Sequence, residues 1–412
     1  MRVYRSRHRH NHDAAAHEQD HEPAPILDHG LVPQGEPELI MDAEGLDRVL
    51  KVLKGVGRFG YDTEFIGETT FFPRICLIQL GTADGLYLID ALAGLDLTGF
   101  WELLADPGVT KLVHAGRQDL EPVLRLLGCP ARSVYDVQVA AGFAGFGYPL
   151  SLGKLVMAAT GADLGHSVKF SQWDRRPLTS AQLHYAANDV RYLPLVYDAL
   201  CARIDDLGHT EKVAEEMAAL EEPDRYRLDP LGGRLRGAGA GKLNRRERVI
   251  LDALLVERFV IAQEEDLPPR SVMGDDVLVR VAGGQPETVE EVAKVKGLPR
   301  PIATAYGERL LAAIERGQES PVPARPGRPK INPDKHKKRV EAVWERMEER
   351  CAAMSIDPAV VISKRDLATL VLPVRDRLVR DVAEPNGWRA ALLDGCWPED
   401  RNPIVPMDGA ES

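Results

Sequence analysis

The sequence predicts an α/β domain in the first half of the chain and small helical domains in the second half. Residues 75–80 and 86–90 are short apolar runs separated by turn residues, which is typical of neighbouring strands. Farther along, apolar residues recur at helical spacing over residues 249–261. A chain of 412 residues has room for two or three domains, so this division also agrees with the length.

Composition narrows the class of protein. Hydrophobic residues make up 44% and charged residues 28% of the chain, as in ordinary globular proteins. No apolar run approaches the ~18 residues of a transmembrane helix. The five cysteines have no paired spacing, so we expect reduced thiols in a cytoplasmic protein and neither a disulfide framework nor a zinc site. The net charge of −11 argues against nucleic-acid binding by the whole surface but allows a local basic groove.

The first 37 residues are polar and contain six histidines. They lack the apolar core of 7–15 residues that a signal peptide needs. We expect a disordered, solvated tail, although histidine-rich tracts also bind transition metals.

The first candidate site segment is Tyr61-Asp62-Thr63-Glu64-Phe65, directly after a predicted strand over residues 56–61. Residues two apart on a strand point to the same face, so Asp62 and Glu64 project together. Adjacent carboxylates repel unless a cation lies between them. Hard divalent ions such as Mg²⁺ prefer oxygen ligands. The alternative is a solvated pair of surface acids.

The second segment follows a predicted strand end at residues 111–114 and reaches Asp119. Apolar residues then recur at helical spacing until Gly128 ends the pattern. Asp119 is either a further metal ligand or only a favourable negative charge at a helix start.

The third segment is a helix with Thr179 as its predicted N-cap, and it contains Tyr185 and Asp189. Residues four apart share a helix face, so these two side chains are neighbours. A phenol beside a metal-bound carboxylate can hydrogen-bond an attacking water. The alternative for Tyr185 is an ordinary core tyrosine.

Together the three segments resemble the exonuclease motifs of the DEDD superfamily, in the subgroup whose third motif carries tyrosine. The longer matches resemble the ribonuclease D family over roughly residues 38–205. Its first motif is matched by residues 62–65 and 72–80, and its third by Trp173, residues 176–178 and residues 185–194. The resemblance implies a ribonuclease H-like α/β exonuclease fold.

The same resemblance implies a 3′-5′ exoribonuclease in which Asp62, Glu64, Asp119 and Asp189 hold two Mg²⁺ or Mn²⁺ ions. Tyr185 would orient the attacking water, and the product would be a nucleoside 5′-monophosphate. The expected partner is RNA with a free 3′ end, such as the 3′ trailer of tRNA precursors or other small structured RNAs. We expect no membrane association and no obligate protein partner.

Four residues beside the motifs are predicted to line the pocket for the terminal nucleotide: Thr63, Phe65, His114 and Gln118. Two positions differ from a simple match to the family. His184 lies five residues before Asp189, the spacing at which the sister subgroup places its histidine, but the surrounding sequence favours Tyr185. Gln172 stands where the family usually has an acidic residue before the tryptophan.

The helical block after residue 241 resembles the helicase-and-RNase-D C-terminal (HRDC) domain. The matching positions are Glu257, Arg258, Ala262, residues 266–268, Leu278, Ala282 and Pro286. Val256 departs from the tryptophan that the family often carries. A second block, through residues 362–367 and 387–389, resembles the more divergent copy of the same domain. Between the blocks lies a basic linker whose five prolines stiffen it and whose charge suits phosphates.

The predicted organisation is a disordered tail (1–37), an exonuclease domain (38–207), a connector (208–241), a first HRDC domain (242–320), a basic proline-rich linker (321–339), a second, divergent HRDC-like domain (340–397) and a tail (398–412). Two alternatives are a DNA 3′-5′ exonuclease of the same superfamily and a non-catalytic nucleic-acid scaffold. A scaffold would be expected to lack one of the four carboxylates, and all four are present.

Overall fold

The computed structural model describes residues 25–165, 172–231, 239–322, 332–372 and 382–398. These residues fall into two compact units, which are described separately. The sheet unit comprises residues 24–64, 75–226 and 324–412, and the helical unit comprises residues 65–74 and 227–323.

A mixed six-stranded sheet, counted over the described residues, organises the sheet unit. Its strands are β1 (Glu38–Ile40), β2 (Arg58–Ile66), β3 (Arg74–Gly81), β4 (Leu86–Asp90), β5 (Thr110–Val113) and β6 (Val134–Asp136). They lie in the order β1-β4-β3-β2-β5-β6. The pairs β1–β4, β2–β5 and β5–β6 are parallel, and β3–β4 is antiparallel. Strand β2 is therefore central, with neighbours on both sides.

Helices cover this sheet. They are α1 (Ala43–Val56), α2 (Thr98–Ala105), α3 (Arg117–Leu127), α4 (Val137–Ala141), α5 (Leu152–Thr160), α6 (Ser180–Arg191), α7 (Leu193–Asp206) and α8 (Thr210–Ala219). The strands predicted at residues 75–80 and 86–90 are confirmed as β3 and β4. The strand predicted over residues 56–61 begins later, because Val56 ends α1, and continues to Ile66.

The helical unit contains α9 (Arg245–Glu264), α10 (Pro269–Val272), α11 (Asp275–Gly284), α12 (Val289–Lys294) and α13 (Arg300–Glu319). Asn244 and Glu247 form a capping box that starts α9, which satisfies otherwise unpaired backbone N–H groups. Helices α9 and α13 pack closely, since a Cβ atom on Gly317 would lie 2.5 Å from the Cα atom of Ile250. The segment after β2 belongs to this unit, and the ring of Phe71 packs edge-on against Phe259 at 5.0 Å.

The C-terminal helices are α14 (Pro333–Ala353), α15 (Pro358–Val361), α16 (Lys364–Leu370) and α17 (Gly387–Leu393). They share the hydrophobic core of the sheet unit. The Trp388 ring lies 5.1 Å from the Phe143 ring, and the Asp357 N–H donates to the Gly142 carbonyl at 2.8 Å. The described residues of the predicted second helical block are thus helical, and their buried side chains belong to the core of the sheet unit.

Two predicted boundaries need correction. Residues 25–37 were expected to be disordered, yet Val32 is buried and the Leu27 N–H donates to the Tyr192 hydroxyl at 3.3 Å. The linker was expected to reach residue 339, but α14 already begins at Pro333 with Asn332 as its N-cap. The earlier histidines of the tail and the basic residues 325–330 lie outside the described residues.

No helix within the described ranges is both long and apolar enough to cross a membrane. All five cysteines are free thiols.

Candidate active site

Asp62 and Glu64 lie on the central strand β2, two residues apart. Desolvation raises the pKa of the Asp62 carboxyl well above its ordinary value, and the charges of Asp119, Asp189 and Glu64 raise it further. The same causes, desolvation first and then the charges of Asp189 and Asp119, raise the pKa of Glu64 to about 8. These carboxylates therefore lie close enough to repel one another, and they are not a solvated surface pair.

Asp119 lies in the first turn of α3 and is buried, with 7% of its surface exposed. The Thr63 hydroxyl donates a short hydrogen bond to its carboxylate, and the Tyr61 hydroxyl donates to its carbonyl at 2.7 Å. Desolvation raises the pKa of Asp119, although the hydrogen bond from Thr63 opposes this. Two residues of β2 thus hold α3 against the strand that carries the first pair of acids.

Helix α6 brings the fourth carboxylate to the sheet. Thr179 and Gln182 form a capping box at its start, as the predicted N-cap requires. A Cβ atom on Gly81 of β3 would lie 2.5 Å from the Val190 carbonyl oxygen, and one on Gly60 of β2 would lie 3.0 Å from it. Only glycine tolerates so close a backbone approach. Asp189, next to Val190, consequently reaches the carboxylates of β2.

Tyr185 and Asp189 interact on α6. A hydrogen bond joins the Tyr185 hydroxyl to the Asp189 carboxylate. Desolvation raises the pKa of Asp189 to about 7, the bond from Tyr185 lowers it, and the charge of Asp119 raises it. The second carboxylate oxygen, Oδ2, is buried and has no hydrogen-bond partner. An unpaired buried carboxylate oxygen is costly, so this atom is suited to a cation.

His184 is directed to a different set of partners. Its Nε2 lies 3.0 Å from the Asn188 side-chain amide, and the Asn188 oxygen accepts from Arg191 at 2.9 Å. The His184 ring therefore contacts another side chain of α6, whereas the neighbouring Tyr185 contacts the Asp189 carboxylate.

The segment before α6 is fixed to the sheet by an ion pair that the sequence did not reveal. Arg176 donates two hydrogen bonds of 2.6 Å to Asp90, at the end of β4, and one of 2.9 Å to the Cys76 carbonyl. Desolvation would raise the pKa of Asp90, but the hydrogen bonds from Arg176 and Leu92 and the charge of Arg176 leave it below its ordinary value. Asp90 and Arg176 are 86 positions apart, so no local pattern could pair them.

The same segment places Trp173, whose ring is buried, 6.1 Å from the Tyr185 ring. Gln172, which replaces the expected acid, is exposed, and its carbonyl accepts from the Arg175 N–H at 3.2 Å.

The residues predicted to line a nucleotide pocket have different surroundings. Thr63 is buried against Asp119. His114 is half-buried, its Nε2 lies 2.8 Å from the Leu150 carbonyl, and desolvation lowers its pKa. Gln118 is exposed on α3, and Phe65 follows Glu64 on β2 and belongs to the helical unit.

The donor set fits divalent metal ions. Four carboxylates with raised pKa values and one unpaired buried oxygen favour a cation, and hard ions such as Mg²⁺ and Mn²⁺ take oxygen ligands. Within the described residues, no three His, Cys, Asp or Glu side chains are grouped so that they could hold a metal ion as they stand. The fit therefore rests on the chemistry of the donors and on the unpaired Oδ2 of Asp189, and not on a complete set of ligands.

The chain is similar to known proteins in both its α/β part and its helical part. The family model for a 3′-5′ exonuclease matches residues 37–205, and the model for the HRDC domain matches residues 247–314. The ribonuclease D of Granulibacter bethesdensis is 36% identical over 361 residues, covering 86% of this chain and 89% of the relative. That of Gluconacetobacter diazotrophicus is 34% identical over 382 residues, covering 91% and 95%.

A solved structure is similar over nearly the same length. Escherichia coli RNase D, an exoribonuclease involved in structured RNA processing, superposes with a TM-score of 0.72 at 26% identity. The match covers 89% of this chain and all of the other.

Proposed function

Because this chain belongs to the ribonuclease D family and is a 3′-5′ exoribonuclease, we propose that Asp62, Glu64, Asp119 and Asp189 are its metal ligands and that Tyr185 orients the attacking water. The observation that best supports the proposal is that these carboxylates lie close enough for their negative charges to raise one another's pKa values. They come from three elements. Desolvation is the largest cause that raises the pKa of Asp62, and the charges of Asp119, Asp189 and Glu64 raise it further. Family membership implies dependence on divalent metal, and two Mg²⁺ or Mn²⁺ ions are the proposed occupants.

When bound, such ions lower the pKa of a water and neutralise charge on the leaving oxygen. The protein's own residues prepare for that chemistry. Thr63 and Tyr61 hold Asp119 in place, and Asp189 accepts the Tyr185 hydrogen bond that orients the phenol. Desolvation raises the pKa of Tyr185, so it stays protonated and available as a hydrogen-bond donor. The buried Trp173 ring lies beside the Tyr185 ring, at 6.1 Å between centroids.

We further propose that the substrate is RNA with a free 3′ end, shortened one nucleoside 5′-monophosphate at a time. The named relatives and the structured-RNA role of the E. coli protein support this class of substrate. Trimming of tRNA precursors in the cytoplasm stays a prediction, as do the roles of Phe65, His114 and Gln118 in the terminal-nucleotide pocket. Thr63 is better assigned to holding Asp119.

We propose that the HRDC domain matched over residues 247–314 holds the body of a structured RNA while the catalytic unit takes its 3′ end. Two weak contacts on one chain raise affinity together without new chemistry. The predicted domains 38–207 and 242–320 overlap the family matches over residues 37–205 and 247–314. Apart from the two limits corrected above, the domain limits stay predictions.

The test is an assay of the purified full chain on 5′-labelled RNA and DNA oligonucleotides of the same sequence, with Mg²⁺, Mn²⁺ or EDTA. We expect a ladder of products one nucleotide apart on RNA that EDTA abolishes. Asp119→Asn keeps the shape of the side chain but removes its charge, and should lower kcat at least ~100-fold. Faster shortening of DNA would favour the DNA-exonuclease alternative. Near-normal activity of Asp119→Asn would refute the ligand assignment, and RNA binding without shortening would indicate a scaffold.

A further inference from the structure

A second polar site is lined by residues other than the four carboxylates. The sheet unit contains a cavity of about 170 Å³ whose lining includes Arg117, Asp136, Tyr148 and Arg225. None of the four proposed metal ligands lines it. Its volume leaves room for a phosphate group, and it is formed by α3, β6, α4, the loop before α5 and the chain that follows α8.

Two arginines give the cavity its positive charge. The Arg117 guanidinium donates to the carbonyl oxygen of Arg225 at 2.6 Å, which fixes its position without neutralising it. Both side chains are exposed, and neither forms an ion pair within the part of the chain that the structure describes. This differs from Arg132 nearby, which is paired with Glu221 at 3.2 Å. Guanidinium groups left without a carboxylate are suited to phosphate oxygens.

One carboxylate, Asp136, also lines the cavity, and it limits the charge of the ligand. Its Oδ1 accepts from the N–H groups of Ala115 at 3.0 Å and Gln138 at 2.9 Å, so the protein itself holds this charge in place. Two guanidinium charges and one carboxylate leave a net charge of +1. That value matches the single negative charge of a phosphodiester better than the double charge of a free phosphate or a terminal phosphomonoester.

Two hydrogen bonds hold the walls of the cavity in place. The Tyr148 N–H donates to the Asp357 carboxylate at 3.0 Å, and the Tyr226 hydroxyl donates to the Leu220 carbonyl at 2.5 Å. Because these walls are already in place, little conformational entropy is lost when a ligand binds. Even a single phosphate contact can then contribute measurably to the affinity for RNA.

We propose that Arg117 and Arg225 bind an internal phosphodiester of the RNA strand, on the 5′ side of the bond that is cut. Arg117 and Asp119 lie in the first turn of α3, and Leu120, the neighbour of Asp119, lines the cavity. The RNA strand whose 3′ end enters the carboxylate site would therefore pass this cavity. Such contacts position the strand and read no sequence, as a trimming exoribonuclease requires. The proposal rests on the exoribonuclease function above.

The test places one uncharged methylphosphonate linkage at successive internal positions of a 5′-labelled RNA decamer. KM is measured for turnover, and Kd is measured by fluorescence anisotropy in EDTA. At one position the uncharged linkage should raise both constants about tenfold for the native chain, the effect of one charge-assisted contact. In Arg225→Gln the unmodified RNA should already bind about tenfold more weakly, and the same linkage should change Kd by less than about twofold.

Two variants sharpen this result. Arg225→Lys should recover part of the affinity, whereas Lys51→Gln, which removes an exposed charge on α1, should behave like the native chain. The dependence of log Kd on log salt should fall by about 0.7 in Arg225→Gln, the value for one phosphate contact on a single strand. Thermal unfolding of each variant checks that it is folded.

Undiminished sensitivity of Arg225→Gln to the uncharged linkage at every position would overturn the proposal. The proposal would also be overturned if the uncharged linkage had no effect on the native chain at any position while millimolar orthophosphate inhibited it. The cavity would then bind free phosphate. A chain that binds RNA but never shortens it contradicts the proposed function instead, and the Kd comparison still decides the role of the cavity.

Discussion

At the residue scale, the site concentrates negative charge where water is partly excluded. Desolvation is the main cause that raises the pKa values of Asp62 and Asp189, and the charge of Asp119 raises both further. Each of these residues stands in its own local motif, so all could be identified from the sequence. The partners that hold them could not, because Thr63 and Asp119 are 56 positions apart and meet only in the fold.

Tyr185 and His184 can be separated by substitution, since only Tyr185 bonds to a proposed metal ligand. Tyr185→Phe should lower kcat at least about tenfold while the Mn²⁺ dissociation constant stays within a factor of two. His184→Ala should change kcat less than threefold, because its partner Asn188 lies outside the carboxylate group. Single-turnover experiments measure the catalytic rate, and Mn²⁺ titrations measure the dissociation constant. A larger loss of rate in His184→Ala than in Tyr185→Phe would mean that His184 orients the attacking water.

The raised pKa values predict a pH dependence of stability. Glu64 has a pKa of about 8 in the fold and an ordinary value of 4.5, so the folded form without metal keeps a proton that the unfolded chain has lost. The free energy of unfolding should therefore fall as the pH rises from about 4.5 to about 8 and then level off.

Mg²⁺ or Mn²⁺ removes this penalty, so either ion should raise the unfolding temperature more at pH 8.5 than at pH 6. Scanning calorimetry at both values, with Glu64→Gln as the control that loses much of the difference, measures the effect. An equal or smaller shift at pH 8.5 would count against a metal site at Glu64.

At the element scale, the patterns located β3, β4, α3 and α6, because their apolar periodicity and their capping residues are local properties. Strands β1 and β6 have only three residues each, which is too short for a periodic signal. The close approach of α6 to the sheet could not be predicted either, because a glycine in a strand does not identify the element that packs against it.

Gly81→Ala tests that approach. The added Cβ atom would lie 2.5 Å from the Val190 carbonyl oxygen, so α6 must move and carry Asp189 with it. We expect kcat to fall at least about tenfold, because misplacement by about 1 Å costs a factor of this order or more. Gly99→Ala is the matched control, since its Cβ atom would lie 3.4 Å from a Leu50 methyl group. Full activity of Gly81→Ala would show that the approach is not needed.

At the scale of the whole molecule, the C-terminal helices have a role that their sequence did not indicate. Trp388 is buried against Phe143, and its indole N–H donates to Glu216 at 2.7 Å. Glu216 also forms an ion pair with Arg389. Truncation after Leu220 would remove Trp388 and Arg389 and would therefore destabilise the catalytic unit. Such a truncated chain could not be used to test whether the helices after Leu220 bind RNA.

Trp388→Ala should lower the free energy of unfolding of the sheet unit by about 3 kcal/mol, the usual cost of truncating a buried tryptophan. Denaturant unfolding followed by loss of exonuclease activity measures this, with Arg365→Ala on the exposed surface of α16 as the control. Unchanged stability of the catalytic unit would mean that residues 340–397 fold independently after all.

Asp62, Glu64, Asp119 and Asp189 are the proposed ligands of the metal ions. Anomalous diffraction from crystals of the full chain grown with Mn²⁺ and an RNA that cannot be cleaved tests this assignment most directly. We predict two manganese peaks within coordination distance of these carboxylates, one of them on the unpaired Oδ2 of Asp189. Manganese bound only at other residues, or no peak beside Asp189, would contradict the account.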